Sequence, residues 1–200
     1  MLLLDRPANL VEDGIDVALR IGPLADSNLV AVRVGEVRRV VAASPHYLAQ
    51  HPSIEQPADL TRHQIIAMRP FGVDSWCFPQ ADGAPVQRIV QLAPRLIVDS
   101  VRIAVAAAVS GRGVTRLYSH HIADEMQAGE LRVVLSKDEH PPCPVYLVSP
   151  PGRLSVPKVR AFIDFAVPRL RARFTRPLAE RREPYPAIRA PQQVYAQMIR

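Results

Sequence analysis

The residues of this chain best placed to do chemistry are Arg69, Ser100 and Thr115, with Ile21, Gly22 and Phe71 beside them. A guanidinium such as that of Arg69 can hold a carboxylate through two parallel hydrogen bonds. Asp99 and Ser100 are both good N-caps, and they precede an Ala- and Val-rich run, Val101 to Val109, that reads as a helix. The free amides of such a helix start, helped by its dipole, favour an anion. Thr115 offers a hydroxyl from the strand expected after that helix. Ile21 and Gly22 end an earlier strand, and Met68-Arg69-Pro70-Phe71 follows another, so these positions fall at strand ends, where α/β sheets bind ligands. Each also has an ordinary reading: Ser100 as a cap, Arg69 as a solvated loop charge, Thr115 as strand packing.

Other chemistry finds little support. There is no GxSxG elbow, Walker loop or HExxH pattern. Gly111-Arg112-Gly113 follows a helix instead of a strand, so it reads as a helix stop and not as a dinucleotide turn. His120-His121 would need ligands from elsewhere to hold a metal, and the pair reads as surface histidines. Trp76-Cys77-Phe78 is an apolar strand patch, and Asp74-Ser75 has no histidine at a recognisable spacing. Cys77 and Cys143 stand far apart with no CxxC, as two reduced thiols would. The expectation is a binding protein with no cofactor and no metal, not an enzyme.

The elements that position these residues alternate between strand and helix. Leu2–Leu4 and Ile15–Ile21 read as strands on either side of a short helix, 7–14. Strands follow at 28–34 and 37–43, then a helix started by Pro45, a helical turn at 56–60 and a strand at 64–67. The run 101–109 is apolar at almost every position, which predicts a helix buried on all sides and closed by Gly111. Gly113–Tyr118 is the next strand, Ser119 is the expected cap of a helix ending at Gly129, and 131–135 is a strand. Ser155 is the expected cap of a late helix kinked at Pro168. Val159, Phe162, Ile163, Ala166, Leu170 and Phe174 lie on one face of that helix.

Two hundred residues suffice for one large domain or two small lobes. Residues 169–200 hold eight arginines against two glutamates, whereas residues 1–168 balance 17 basic with 17 acidic residues. The formal charge of +6 therefore belongs to the C-terminal stretch 169–200, whose end, 175–200, is a basic, Pro-rich tail expected to be disordered. No run is apolar and long enough to span a membrane, and the start has neither the basic region nor the length of a signal peptide, so the expected location is the cytoplasm.

Several blocks, "LVEDGIDVALRIG", "SNLVAVRVGEVRRVVAASPHYLAQHP", "PADLTRH", "GRGVTRLYSHHIADEMQAGELRVVL" and "VPKVRAFIDFAVPRL", together resemble the effector-binding domain of LysR-type transcriptional regulators over about residues 2–174. The resemblance implies an α/β, two-lobed fold like the type II periplasmic binding proteins, with an effector cleft between the lobes. Lobe I would be 1–40 plus 150–174 and lobe II 41–149. The first strand and helix of lobe I, and the winged helix-turn-helix of a complete regulator, would be missing. Arg116 and Tyr118 stand where the family usually has apolar residues or proline. The implied partners are a small-molecule effector and, in the complete family architecture, a second copy of the chain. DNA would be reached only through an absent N-terminal domain. A stand-alone small-molecule-binding or interaction protein with no DNA role is the other reading.

Overall fold

The computed structural model describes residues 10–24, 28–80 and 87–175. Two sheets divide the chain. The first is antiparallel, with β1 (Ala18–Ile21) and β2 (Val30–Val37) on either side of β10 (Cys143–Ser149). The helix α4 (Pro157–Thr175) closes one face, setting Ala166 and Phe174 against Val34, Val37, Val145 and Leu147. It runs on through Pro168 without a break.

The second sheet has the order β7 (Pro94–Val98), β4 (Ile65–Met68), β8 (Val114–Tyr118), β3 (Arg39–Ala43), β9 (Arg132–Val134). β4 runs parallel to both β7 and β8. A central parallel strand is covered on both faces, and β4 is accordingly apolar and buried throughout. One face packs on α2 (Val101–Val109), burying Val40, Ala42, Ile66, Met68 and Leu117. The other packs on α1 (Pro45–Gln50) and the hairpin of β5 (Ser75–Phe78) with β6 (Arg88–Gln91), burying Tyr47, Trp76 and Phe78. α1 starts where Pro45 predicts, because Ser44 Oγ accepts from Tyr47 N at 3.3 Å.

The chain passes from the first sheet to the second at Arg38 and returns between Val134 and Cys143. β2 continues through Gly35, where β10 shifts register between Val145 and Tyr146, so the expected break at 35–36 falls instead at Arg38. β10 lies within the 41–149 span expected for lobe II, yet it pairs with β1 and β2. Arg38 Nη1 reaches both carboxylate oxygens of Glu139 at 3.0 Å, which ties the two crossings together.

Several expected details differ. α2 is buried on one face only: Ala104, Val105 and Ala108 are enclosed, while Ile103 is 54 % exposed, because only one side of the helix meets the sheet. Ser119 does not cap a helix. Its hydroxyl accepts from Arg38 N at 3.2 Å, a single 3-10 turn (Ser119–His121) intervenes, and α3 (Ala123–Gln127) starts beyond Ile122. Ser155 Oγ donates back to Gly152 O at 2.6 Å instead of capping α4, whose first amides bond to Val156 O. Phe162, expected on the buried stripe of α4, is 52 % exposed. Residues 10–14 form a turn and β1 begins only at Ala18. The expected strand at Leu2–Leu4, the start of the 7–14 helix and the tail beyond Thr175 lie outside the described residues.

Candidate functional site

The three parallel strands β7, β4 and β8 all run toward one edge of the second sheet. Met68 and Val98 are register partners, so the residues that follow them emerge side by side. After Met68 comes a 3-10 turn, Arg69–Phe71; after Val98 come Asp99, Ser100 and α2; after Tyr118 comes the turn Ser119–His121. Loops leaving the carboxyl ends of adjacent parallel strands form the ligand shelf of open α/β sheets.

Each side chain on this shelf has a defined setting. Arg69 is exposed and makes no ion pair with a described residue. Ser100 is half-buried at the N-cap position of α2. Its carbonyl accepts from Ala104 N at 3.1 Å, but its hydroxyl makes no capping bond. The expected hydroxyl cap is therefore corrected: the backbone starts the helix and the Oγ remains available. Phe71 is half-buried and meets Tyr118 edge to face, with ring centroids 4.8 Å apart.

Thr115 is placed differently. It is fully buried in the middle of the sheet, and its hydroxyl donates to Ile66 O at 3.1 Å, across from β8 to β4. A hydroxyl spent between two strands has nothing to offer an open cleft, so its role is packing.

Ile21 and Gly22 lie on the first sheet. Ile21 pairs with Val145 and packs into that core, while Gly22 N donates to Pro144 O at 2.9 Å. At Gly22 a side-chain carbon would meet nothing within 4 Å, so the strand end is open on that side.

Tyr118, His120 and His121 are half-buried contributors that the sequence reading did not include among its site residues. Tyr118 packs against the core of the first sheet as well as on Phe71. His120 lies 6.0 Å from the Tyr118 ring and 6.1 Å from Phe174 of α4, giving an aromatic path from one sheet to the helix of the other. The expectation of surface histidines is corrected accordingly. The signal was present in Tyr118, which departs from the family pattern. Among the described residues no three His, Cys, Asp or Glu side chains converge as metal ligands. The shelf can bind: a cation, a helix start and a free hydroxyl suit an anion, and the Phe71–Tyr118 pair suits an apolar or ring-bearing body.

Two sheets joined by two crossings, with binding groups gathered at the strand ends beside them, define a two-lobed small-molecule-binding domain. The chain belongs to the LysR family of regulators: the model of the LysR substrate binding domain matches residues 2–171. It is 30 % identical over 167 residues to the HTH-type transcriptional regulator CrgA of Neisseria meningitidis, covering 81 % of this chain and 54 % of CrgA. An HTH-type transcriptional regulator of Xanthomonas campestris is 32 % identical over 165 residues, covering 81 % and 48 %. Among solved structures, CrgA superposes with a TM-score of 0.69 at 29 % identity over 81 % of this chain and 54 % of that one. The full-length Vibrio cholerae virulence activator AphB gives 0.69 at 28 % identity, over 82 % and 54 %. The chain thus spans about half the length of the curated relatives it matches. The fold is the two-lobed effector-binding fold of this family, a family of transcriptional regulators and not of enzymes.

Proposed function

We propose that this effector-binding domain senses a small anionic metabolite held between its lobes, and that the bound state controls transcription through a helix-turn-helix reader of the kind its relatives' names describe. Arg69 carries the reading: it is an exposed guanidinium with no ion pair among the described residues, one residue beyond β4 and beside the start of α2. In this reading Arg69 holds a carboxylate, Ser100 Oγ and the first amides of α2 share it, Phe71 covers the body of the ligand, and Ile21 and Gly22 face it from lobe I. Asp99, also exposed at this edge, sets a limit on how much negative charge the shelf tolerates.

We further propose that the domain acts as a homo-oligomer in the cytoplasm. The supporting observation is the apolar exposure of β7 and α2: Leu96 is 37 %, Ile97 44 % and Ile103 54 % exposed. β7 is also a sheet edge, a surface that self-complementary association covers. No helix among the described residues is long and apolar enough to cross a membrane.

Thermal-shift screening with small aromatic and aliphatic acids, followed by calorimetric titration of the best hit, tests the site. Arg69→Gln should weaken binding about ten-fold or more, as loss of a charged hydrogen-bond pair does. Ser100→Ala should weaken binding while changing stability by less than about 0.5 kcal/mol, since no cap bond is lost. Ser100→Asp should repel the acid. Undiminished affinity in both Arg69→Gln and Ser100→Asp would place the effector elsewhere.

A further inference from the structure

On the face of the second sheet turned away from α2, two arginines lie together, neither ion-paired to a carboxylate among the described residues. Arg39 begins β3, and Arg116 of β8 pairs with Val41, two residues along. Arg116 is only 5 % exposed. Its guanidinium carbon lies 5.5 Å from the Trp76 ring centroid and 5.7 Å from that of Phe78, and its Nη1 donates to Cys77 O at 3.2 Å. The Cys77 carbonyl is shared, since His140 Nε2 is 2.8 Å from it. The Nε atoms of Arg39 and Arg116 are both buried, and neither has a hydrogen-bond partner among the described residues. Between Arg39, Arg116, Phe78 and His140 the packing leaves about 10 Å³, room for one water-sized occupant.

The nearby acids do not balance this charge. Asp138 is taken by Arg88, and both oxygens of Glu139 are taken by Arg38, so two further guanidiniums stand beside the two carboxylates that line the cavity among the described residues. Burial, and then the neighbouring Arg39, lower the Arg116 pKa to about 10. Arg116 therefore stays charged at neutral pH. A buried cation without a counter-charge is costly, and water in the cavity would satisfy the N–H groups but leave the charge uncompensated.

We propose that Arg39 and Arg116 bind a single small inorganic anion of halide size in this cavity. The site lies on the opposite face of the sheet from α2 and does not depend on the reading of the cleft. The crossing segment that carries Asp138, Glu139 and His140 to lobe I closes over it, so the anion fastens that crossing to lobe II. Two positive N–H donors and a small cavity favour a single-atom anion over a carboxylate.

Chloride-35 NMR line broadening of the full chain, at constant ionic strength with gluconate as the replacement anion, provides the test. Saturable broadening is expected, displaced by bromide, and with affinity about ten-fold or more weaker in both Arg116→Met and Arg39→Gln. In crystals soaked in bromide an anomalous peak should stand between the two Nε atoms. Arg39 is only half-buried, so Arg39→Gln and the bromide peak remain decisive should Arg116→Met fail to fold. Absence of saturable broadening, affinity unchanged in Arg39→Gln, or a bromide peak elsewhere would overturn the proposal. Displacement by formate as effective as by bromide would also overturn it, in favour of a carboxylate site.

Discussion

His63 shows how one enclosed side chain sets a pH dependence. It is 6 % exposed, and its Nδ1 lies 3.2 Å from the Tyr47 hydroxyl. That hydroxyl also accepts from Gln64 N at 2.9 Å, and the direction of its contact with His63 Nδ1 follows the tautomer of the imidazole. Burial first, and then the neighbouring His51, lower the His63 pKa from the ordinary value of 6.5. The unfolded chain therefore binds this proton more readily than the folded one. The stabilisation is fully present above about pH 6.5 and is lost as pH falls through the lower folded value. Urea midpoints measured from pH 7.5 down to about 5 should fall in the parent, and His63→Gln should flatten that fall. An equal pH slope in parent and variant would remove His63 as the cause.

At the scale of elements, the turn from α2 into β8 is the tightest constraint. Gly111 closes α2 with φ +71°, as its position predicts, and Gly113 follows at φ +150°. Val114 N donates to Gln64 O at 2.8 Å, which pulls the backbone onto the start of β4. A side-chain carbon on Gly113 would collide with the Gln64 carbonyl, coming within 2.9 Å of its carbon, and both atoms are backbone. Gly113→Ala should therefore cost about 1–3 kcal/mol in denaturant unfolding, because neither strand can give way without losing its pairing. Parent-like stability in that variant would mean that the turn relaxes freely.

At the scale of the whole molecule, the exposed apolar side chains of β7 and α2 make the oligomeric state testable. Ile97 on the edge strand and Ile103 on α2 are both exposed, and neither belongs to a buried core cluster. Ile97→Lys combined with Ile103→Lys should lower the mass seen by sedimentation equilibrium to that of the monomer, while leaving the unfolding midpoint nearly unchanged. A persisting dimer in the double variant would assign the interface to another surface.

Element types could be read locally, because period and punctuation act over a few residues. Pro45 behind Ser44 makes a helix start, the apolar run at Ile65–Met68 makes a buried strand, and Gly111 makes a helix end whatever lies around them. The strand-end positions of Arg69, Ser100 and Gly22 followed from the same signals. Tertiary packing decided the rest. Alanines and valines on α2 look alike in sequence, yet only the side toward the sheet is buried, since which face is covered depends on a distant strand. The hydroxyls of Ser119 and Ser155 are good caps in isolation, but the one was captured by Arg38, 81 residues away, and the other by the local turn at Gly152. Thr115 faced its neighbouring strand because β4 lies beside β8, a pairing across 49 residues that no local pattern encodes. For the same reason Arg116 is only an odd charge in a strand until Trp76, Phe78 and Arg39 are brought around it, and its surroundings were set by the fold alone.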